Sequence, residues 1–225
     1  MTGCEALLRW RHPVRGMISP ADFVPVAEET GLIEEIGLWV LRTDCIEAAG
    51  WPANVRVAVN VSPVQFKSET LALKVARVLA ESGLDPRRLE LEISEAVLIA
   101  DDDAALVTLG QLRALGVHIA LDELRNRVLV AAISATLPVR QDQDRPQLRQ
   151  GSDPQHQLGL DHPRVVSIAA DRNMITTAEG VETDQQRDTV QMLGCTQMQG
   201  YLFSRPVPAK DVRTLLAADG VEDAA

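Results

Sequence analysis

Residues 55–61 read VRVAVNV, a run in which β-branched Val alternates with other side chains, and this pattern predicts a β-strand. A helix is predicted to follow over Glu69–Ser82, where Gly83 ends it, and a second strand over Leu89–Ile93. Strands that are joined through a helix run parallel to each other. The stretch from residue 55 to residue 93 therefore predicts a βα unit in a parallel sheet.

The alternation of strand and helix continues on both sides of this unit. The further predicted elements are a strand in Glu5–Trp10, a helix from Ser19-Pro20 to about Glu29, a helix at Ile33–Ala49, a helix at Ala104–Leu115, a strand at Val117–Leu121, a strand at Met174–Thr177, a helix at Thr183–Leu193, a strand region at Thr196–Phe203 and a helix at Ala209–Ala217. So many βα units in one domain favour a closed barrel over an open sheet. We therefore expect a single α/β domain over residues 1–219, a TIM-like βα barrel, followed by a tail at residues 220–225.

Composition and charge exclude several classes of protein. Hydrophobic residues make up 46% of the 225 residues and charged residues 24%, which is typical of a globular domain. The formal net charge of -10 disfavours DNA or RNA as a partner, because an acidic surface does not neutralise phosphates. A small anionic nucleotide remains a candidate ligand where metal ions supply positive charge.

Cysteine content and hydropathy predict a cytoplasmic protein. Cys4, Cys45 and Cys195 form no CxxC pair and are expected to be reduced thiols. No run of about 18 apolar residues predicts a membrane segment, and the N-terminus does not resemble a signal peptide.

Acidic and amide side chains lie at the predicted C-terminal ends of the strands, and one opens the first strand region. They are Glu5, Asn60, Glu92, Glu95, Asp122 and Glu179. The functional groups of βα barrels are built at this rim. Oxygen donors without His or Cys suit Mg²⁺ or Mn²⁺ rather than Zn²⁺, and two such ions about 3.5–4 Å apart hydrolyse phosphodiesters. Any one of these residues alone could cap a helix or carry a surface charge, but their common phase with consecutive strands favours a metal site.

Short motifs along the whole chain resemble those of one family. They are EALLRW at Glu5–Trp10 with His12-Pro13, Gly16, Ser19-Pro20, FVP at Phe23–Pro25 and Ala27-Glu28, then NVS at Asn60–Ser62 with Phe66, EISE at Glu92–Glu95, EGVET at Glu179–Thr183, and GC at Gly194-Cys195 with QGYLFS at Gln199–Ser204 and Pro206. In this combination and order they resemble an EAL domain, the bacterial phosphodiesterase module that hydrolyses cyclic di-GMP. The resemblance implies a TIM-like barrel of the EAL type, two Mg²⁺ or Mn²⁺ ions, and cyclic di-GMP as the partner.

The resemblance also implies which residues carry out the chemistry. Glu179 would help to hold metal or its water and act as general base. The metal ligands would be Glu5, Asn60, Glu92, Asp122 and, as the second carboxylate of the loop, Glu123.

Further residues are implied to contact the substrate or to support the site. Leu7 and Arg9 would contact the substrate, with Arg9 at a phosphate, where a planar bidentate donor is apt. Gln199, grouped with the substrate-binding residues, would orient a metal-bound water. Glu95 would anchor the loop that follows Asp122. Without the resemblance, Arg9 could be an ordinary surface arginine and Gln199 could cap a strand end.

The beginning of the chain departs from the family pattern. Family members have a strand and a helix before the EAL motif, whereas four residues precede Glu5 here. We therefore expect an incomplete barrel that lacks its first βα unit and exposes strand edges.

The loop after Asp122 departs from the family pattern DDFGTGYSSL. Asp122–Val130 reads DELRNRVLV, so the second carboxylate survives only as Glu123 and the loop glycines are missing. The Lys of the family's next segment, KID, aligns with Gln143, whose side chain carries no charge to lower the pKa of the attacking water. These changes predict impaired or absent catalysis.

A shifted reading frame is our hypothesis for this segment. Leu124–Ala131 can be back-translated as CTT CGG AAC CGG GTA CTC GTC GCT, which encodes FGTGYSSL when it is read one base later. Leu137–Pro154 can likewise be written so that the shifted frame gives FPFDKIKIDRSFVKDLTP, the family's next strand. We therefore interpret residues 123–164 as an out-of-frame translation. Taken alone, the polar run Gln141–Gln157 would predict a disordered insertion.

Three functions remain open on the sequence. The first is an active phosphodiesterase that opens cyclic di-GMP to linear pGpG. The second is a non-catalytic module that binds the dinucleotide or a protein partner. The third is a remnant that folds poorly, because losing a βα unit removes more stabilising free energy than the usual margin of about 5–15 kcal/mol for a domain. Family members dimerise near the altered loop, so that alteration weighs against a homodimer here.

Overall fold

The computed structural model describes residues 1–94, 103–122, 130–132, 175–195 and 197–222 of the 225. The chain divides into two compact units. The first unit comprises Met1–Asp122 and Pro206–Ala225, and the second comprises Glu123–Arg205.

The first unit contains the repeated strands and helices that the sequence predicts. Its described elements in chain order are β1 (Gly3–Ala6), β2 (Trp10–His12), β3 (Gly16–Ile18), α1 (Pro20–Thr30), α2 (Ile33–Ala49), β4 (Arg56–Val61), α3 (Pro63–Phe66), α4 (Leu71–Ser82), a 3-10 turn (Pro86–Arg88), β5 (Leu89–Ser94), α5 (Asp103–Ala114) and β6 (His118–Asp122). Strands β1, β4, β5 and β6 are neighbours in that order and all run parallel. The predicted parallel sheet is confirmed for these strands.

Predicted and observed bounds agree closely for most of these elements. Helix α2 has the predicted bounds, and β4, β5 and β6 differ from prediction by one residue at their ends. Helix α1 begins as expected, with Ser19 Oγ accepting a hydrogen bond from the Ala21 N–H at 3.3 Å. It ends at Gly31, whose φ of 77° places it in the left-handed region that favours glycine.

The first predicted strand is wrong in its extent. Strand β1 ends at Ala6, and Trp10 instead begins β2, which pairs antiparallel with β3. His12 Nδ1 accepts hydrogen bonds from the N–H groups of Val14 and Arg15, both at 3.1 Å, and so closes the turn of this hairpin. Three-residue strands show no hydrophobic period, which is why the sequence pattern missed the hairpin.

The core of the first unit lies between the sheet and its helices. Buried side chains of β4 and β5 pack against α2, α4 and α5, and the largest that are fully buried include Phe66, Leu89, Leu91, Ile93 and Leu112. Burying these apolar side chains provides the main stabilisation of the sheet, at about 1.5–3 kcal/mol for each.

A final helix, which we number α7, spans Ala209–Glu222 and also belongs to the first unit. It is five residues longer than the predicted Ala209–Ala217 and continues into the stretch predicted as a tail. Its Arg213 Nε lies 3.0 Å from Glu47 Oε1 of α2, which ties the two helices together.

The second unit contains fewer described elements: β7 (Val130–Ala132), β8 (Ile175–Ala178), α6 (Asp184–Met192) and β9 (Gln197–Met198). Strand β8 is parallel to β9 and antiparallel to β7. The predicted strand and helix at residues 174–177 and 183–193 are confirmed within one residue. The predicted strand region Thr196–Phe203 is wrong beyond Met198, because turns follow at residues 201–203.

Three further expectations concern the out-of-frame segment, the cysteines and membrane-spanning helices. Within residues 123–164, which we interpret as out of frame, only the short strand β7 is described. Cys4, Cys45 and Cys195 are all free of disulfide bonds, as expected. No helix in the described ranges is both long and apolar enough to cross a bilayer.

Candidate functional site

One face of the sheet in the first unit carries polar side chains. Along β4 the odd-numbered valines are buried against the helices, so the even-numbered residues, which end with Asn60, lie on the opposite face. Along β5, Glu90 and Glu92 occupy that same face, since they pair with Ala58 and Asn60. This alternation leaves the face away from the helices for functional groups.

The strand register aligns the candidate ligands. Glu5 of β1 pairs with Ala58, and Asn60 pairs with Glu92, while Asp122 at the end of β6 pairs with Ser94. Across the strand order β1, β4, β5 and β6, each candidate residue lies either level with the candidate on the preceding strand or closer to the C-terminal end of its own strand. Barrel strands are staggered in this manner, so residues that advance with the stagger reach one rim.

A hydrogen bond joins two of these residues: Asn60 Nδ2 donates to Glu5 Oε1 at 2.8 Å. Glu92, which lies opposite Asn60, is only 8% exposed. Carboxylate and amide oxygens at neighbouring strand ends are donors that Mg²⁺ and Mn²⁺ prefer, so the residues present fit such an ion. Among the side chains that the structure describes, which exclude that of Asp122, no three or more His, Cys, Asp or Glu residues form a metal-binding group.

An ion pair lies below these residues on the same face. Arg56 Nη1 and Glu90 Oε2 are 3.1 Å apart, and their side chains are 20% and 12% exposed. Because Glu90 comes one pleat before Glu92, Arg56 offsets negative charge that would otherwise accumulate close to the candidate ligands.

Leu7 follows directly after β1, Arg9 comes two residues later, and both are exposed. Arg9 Nη1 donates to the backbone oxygen of Leu8 at 2.9 Å, so its guanidinium lies against its own loop. The two residues therefore begin the loop that leaves the Glu5 strand, while their predicted contact with a substrate stays a prediction.

In the second unit, backbone hydrogen bonds connect the segments that carry Glu179 and Gln199. The Gln199 N–H donates to the Ala178 oxygen at 2.7 Å, and the Val181 N–H donates to the Gln199 oxygen at 3.0 Å. Glu179 comes directly after β8 and Gln199 directly after β9. The structure thus brings these two predicted residues together within their own unit.

Comparison with known protein families identifies the chain. The family model of the EAL domain matches residues 1–206. The chain belongs to the EAL domain family. The sequence-based identification is therefore confirmed, and so is the prediction of a TIM-like α/β fold of the EAL type.

Relatives of known sequence and structure agree with this assignment. The uncharacterized protein y4lL of Sinorhizobium fredii is 43% identical over 217 residues, which cover 96% of this chain and 26% of that protein. MucR of Pseudomonas aeruginosa, a bifunctional diguanylate cyclase/cyclic di-GMP phosphodiesterase, is 36% identical over 96% of this chain and 32% of its own length. The chain thus spans about a third or less of the length of these curated relatives.

A solved structure gives the same fold. The complex of the PaMucR phosphodiesterase with c-di-GMP superposes with a TM-score of 0.77 at 33% identity, covering 94% of this chain and 87% of that one.

Several predicted site residues of this EAL domain lie outside the described residues. Glu95, Glu123 and Gln143 fall in the ranges that are not described, and Asp122 is described only as the last residue of β6. Their predicted roles as loop anchor, metal ligand and lysine replacement remain predictions.

Two features of the site were not predicted from the sequence. The pairing of Arg56 with Glu90 was detectable, because both residues interrupt hydrophobic strands at the phase of Asn60 and Glu92. A hydrogen bond between Ser62 and Glu28 had no such signal, because it depends on how helix α1 packs against the turn after β4, and no strand period encodes that packing.

Proposed function

We propose that this EAL domain binds cyclic di-GMP at the C-terminal ends of its strands and that its site is of the metal-dependent phosphodiesterase type, opening the dinucleotide to linear pGpG. The observation that carries the proposal is the contact between Asn60 and Glu5, in register with the buried Glu92. The likeness to MucR and to its complex with c-di-GMP supports the choice of ligand.

The residues of the chain then have distinct tasks in the reaction. Two Mg²⁺ or Mn²⁺ ions, when bound, supply Lewis acidity to the scissile phosphodiester and lower the pKa of the attacking water. We assign their binding to oxygen atoms of the following residues: Glu5, Asn60, Glu92, Asp122 and Glu123.

The remaining tasks concern the substrate and the attacking water. Glu179 accepts a proton of the water as its oxygen attacks phosphorus, the bond from phosphorus to the ribose 3′ oxygen breaks, and that oxygen takes up a proton from solvent. Gln199 orients that water by hydrogen bonding. Leu7 contacts the dinucleotide, and Arg9 donates two N–H groups to a phosphate. Glu95 anchors the loop that follows Asp122.

A second candidate function is a module that binds cyclic di-GMP or a protein partner without turnover. The specific observation in its favour is the loop DELRNRVLV, in which Glu123 replaces an aspartate and the glycines are absent, together with Gln143 in place of the lysine. Loss of that positive charge removes a group that stabilises the attacking hydroxide.

Binding and turnover measurements separate the candidates. Calorimetry with cyclic di-GMP, in the presence of Mn²⁺ or of Ca²⁺, tests binding, and chromatography of pGpG tests hydrolysis. Hydrolysis above that of a Glu5→Ala variant supports the phosphodiesterase, whereas binding without hydrolysis supports the non-catalytic module. Glu29→Ala, an exposed change on α1, serves as the matched control and is expected to match the unaltered chain.

Thermal unfolding tests the third possibility, a remnant that folds poorly. A chain that shows neither a cooperative transition nor binding contradicts both proposals.

We further propose a cytoplasmic location. We also propose that the chain has no DNA or RNA partner, in keeping with its net charge of -10.

A further inference from the structure

The end of β4 is held by a polar contact with α1. The Ser62 hydroxyl donates a hydrogen bond to Glu28 Oε1, and it also accepts one from the Val64 N–H at 3.2 Å. We call the contact between Glu28 and Ser62 the Glu28–Ser62 clasp. It joins a residue in the eleven-residue helix α1 to the turn that follows the candidate ligand Asn60.

The same turn is held on its other side by α2. Gln65 is only 7% exposed, and its Oε1 accepts from the Ser62 N–H at 3.2 Å, which completes a capping box at the start of α3. A Cβ atom placed on Gly37 would lie 1.9 Å from Gln65 Nε2, so a side chain at position 37 would require the buried Gln65 side chain to move. Two helices therefore converge on the residues that leave β4.

The clasp is not needed merely to cap α3. The capping box uses the Ser62 hydroxyl as an acceptor and the Ser62 N–H as a donor. The hydroxyl proton is an additional donor, and it forms a hydrogen bond with the carboxylate of Glu28 on helix α1. A hydrogen bond to a charged acceptor is about twice as strong as a neutral one, so this contact fixes Ser62 in place.

We propose that Glu28 is a positioning residue that acts through Ser62 to hold the Asn60 amide beside Glu5. Asn60 and Ser62 are separated by the buried Val61, so a shift of Ser62 is transmitted along the backbone to Asn60. The inference rests on the proposed function only in that Asn60 belongs to the ligand-binding site. The Glu28–Ser62 clasp resembles the contacts in metal sites where groups behind the ligands orient those ligands.

The test compares Glu28→Ala, Glu28→Gln and the neighbouring control Glu29→Ala. One measurement is the side-chain amide resonance of Asn60 in nitrogen-labelled protein, assigned by its loss in Asn60→Asp. The other is Mn²⁺ affinity, followed by the signal of free Mn²⁺ in electron paramagnetic resonance. We expect Glu28→Ala to shift the Asn60 resonance and to weaken Mn²⁺ binding about 10-fold.

Glu28→Gln keeps an oxygen acceptor for the Ser62 hydroxyl, and Glu29→Ala leaves the clasp intact. Glu29→Ala is expected to retain the Asn60 resonance and the Mn²⁺ affinity of the unaltered chain, whereas Glu28→Gln, whose neutral oxygen is a weaker acceptor, is expected to lie between the unaltered chain and Glu28→Ala. If Glu28→Ala does not fold, Ser62→Thr and Ser62→Ala take its place, because threonine retains the hydroxyl and alanine does not. An Asn60 resonance that is unchanged when either contact group is removed overturns the proposal.

Failure of this inference is distinguishable from failure of the proposed function. If the unaltered chain binds neither Mn²⁺ nor cyclic di-GMP, the proposed function fails, and the Asn60 resonance alone decides on the clasp. If the unaltered chain binds both ligands and Glu28→Ala binds them equally well, the clasp has no positioning role and the site assignment is unaffected.

Discussion

Asp44 on α2 is a carboxyl whose environment disfavours its charge. Burial raises its pKa to about 6, from an ordinary value of 3.8. The adjacent thiol of Cys45 is fully buried, and burial together with the charge of Asp44 raises its pKa to about 12. Because the pKa of Asp44 is higher in the folded chain than in the unfolded chain, its stabilising contribution is present below pH 3.8 and is lost as pH rises through about 6.

Replacing Asp44 by asparagine is therefore expected to stabilise the protein at neutral pH. The rise of its pKa from 3.8 to about 6 corresponds to about 3 kcal/mol, and solvent screening of this partly exposed group reduces the expected gain to about 1–2 kcal/mol at about pH 7.5. Urea unfolding measures the gain, which should disappear near pH 4. An equal gain at both pH values, or the same gain in the exposed control Glu29→Gln, contradicts the assignment.

The ion pair of Arg56 and Glu90 gives a second prediction for single residues. Arg56→Ala leaves Glu90 charged on the face of the sheet away from the helices, and breaking a largely buried pair in this way costs about 3 kcal/mol. The matched control is Arg77→Ala, which removes an exposed pair with Glu81 and should change the free energy of unfolding by less than about 0.5 kcal/mol. Comparable losses in the two variants, measured by urea unfolding, would show that Glu90 is well solvated.

At the scale of elements, the segments after β8 and β9 touch too closely for any side chain at residue 200. A Cβ atom on Gly200 would lie 2.1 Å from the Val181 oxygen and 2.4 Å from its nitrogen. Gly200→Ala must therefore displace Val181 or the chain around Gln199. Glu179 lies two residues from Val181, so the displacement affects the segments that carry Glu179 and Gln199.

We expect Gly200→Ala to destabilise the chain by more than about 2 kcal/mol and to weaken the binding of cyclic di-GMP. Gly180→Ala is the comparison, because Gly180 has a φ of 69° but a Cβ atom added there would meet no neighbouring atom within 4 Å. That variant suffers only backbone strain, of about 1–2 kcal/mol. Thermal unfolding and calorimetry give both quantities, and equal effects of the two variants would exclude a steric cause.

The elements also show what sequence patterns can predict. Strands β4 and β5 and helix α2 were predicted because burial of one face imposes a period on the sequence. The hairpin of β2 and β3 was missed because its short strands depend on the His12 turn rather than on a buried face. In the candidate site, Asn60 and Glu92 were predicted from their strand-end positions, whereas the Glu28–Ser62 clasp depends on a helix packing that no local pattern encodes.

At the scale of the whole molecule, the reading-frame hypothesis concerns residues 123–164, and the gene sequence tests it directly. The hypothesis fails if the nucleotides after the Glu123 codon do not encode FGTGYSSL one base later. If they do, the frame can be restored in a synthetic gene that leaves every other residue unchanged.

The restored chain is expected to differ from the present one in both stability and catalysis. Its loop regains the aspartate and glycines of the family pattern, and its next strand regains hydrophobic and aromatic residues that can be buried, each contributing about 1.5–3 kcal/mol. On the proposed function, the lysine that replaces Gln143 would supply a positive charge that stabilises the attacking hydroxide. We therefore expect a higher midpoint of thermal unfolding and formation of pGpG in the presence of Mn²⁺. The restored chain with Glu5→Ala should keep the higher midpoint and lose the turnover. If restoration raises neither the midpoint nor the turnover, the altered segment is not what separates this EAL domain from an active phosphodiesterase.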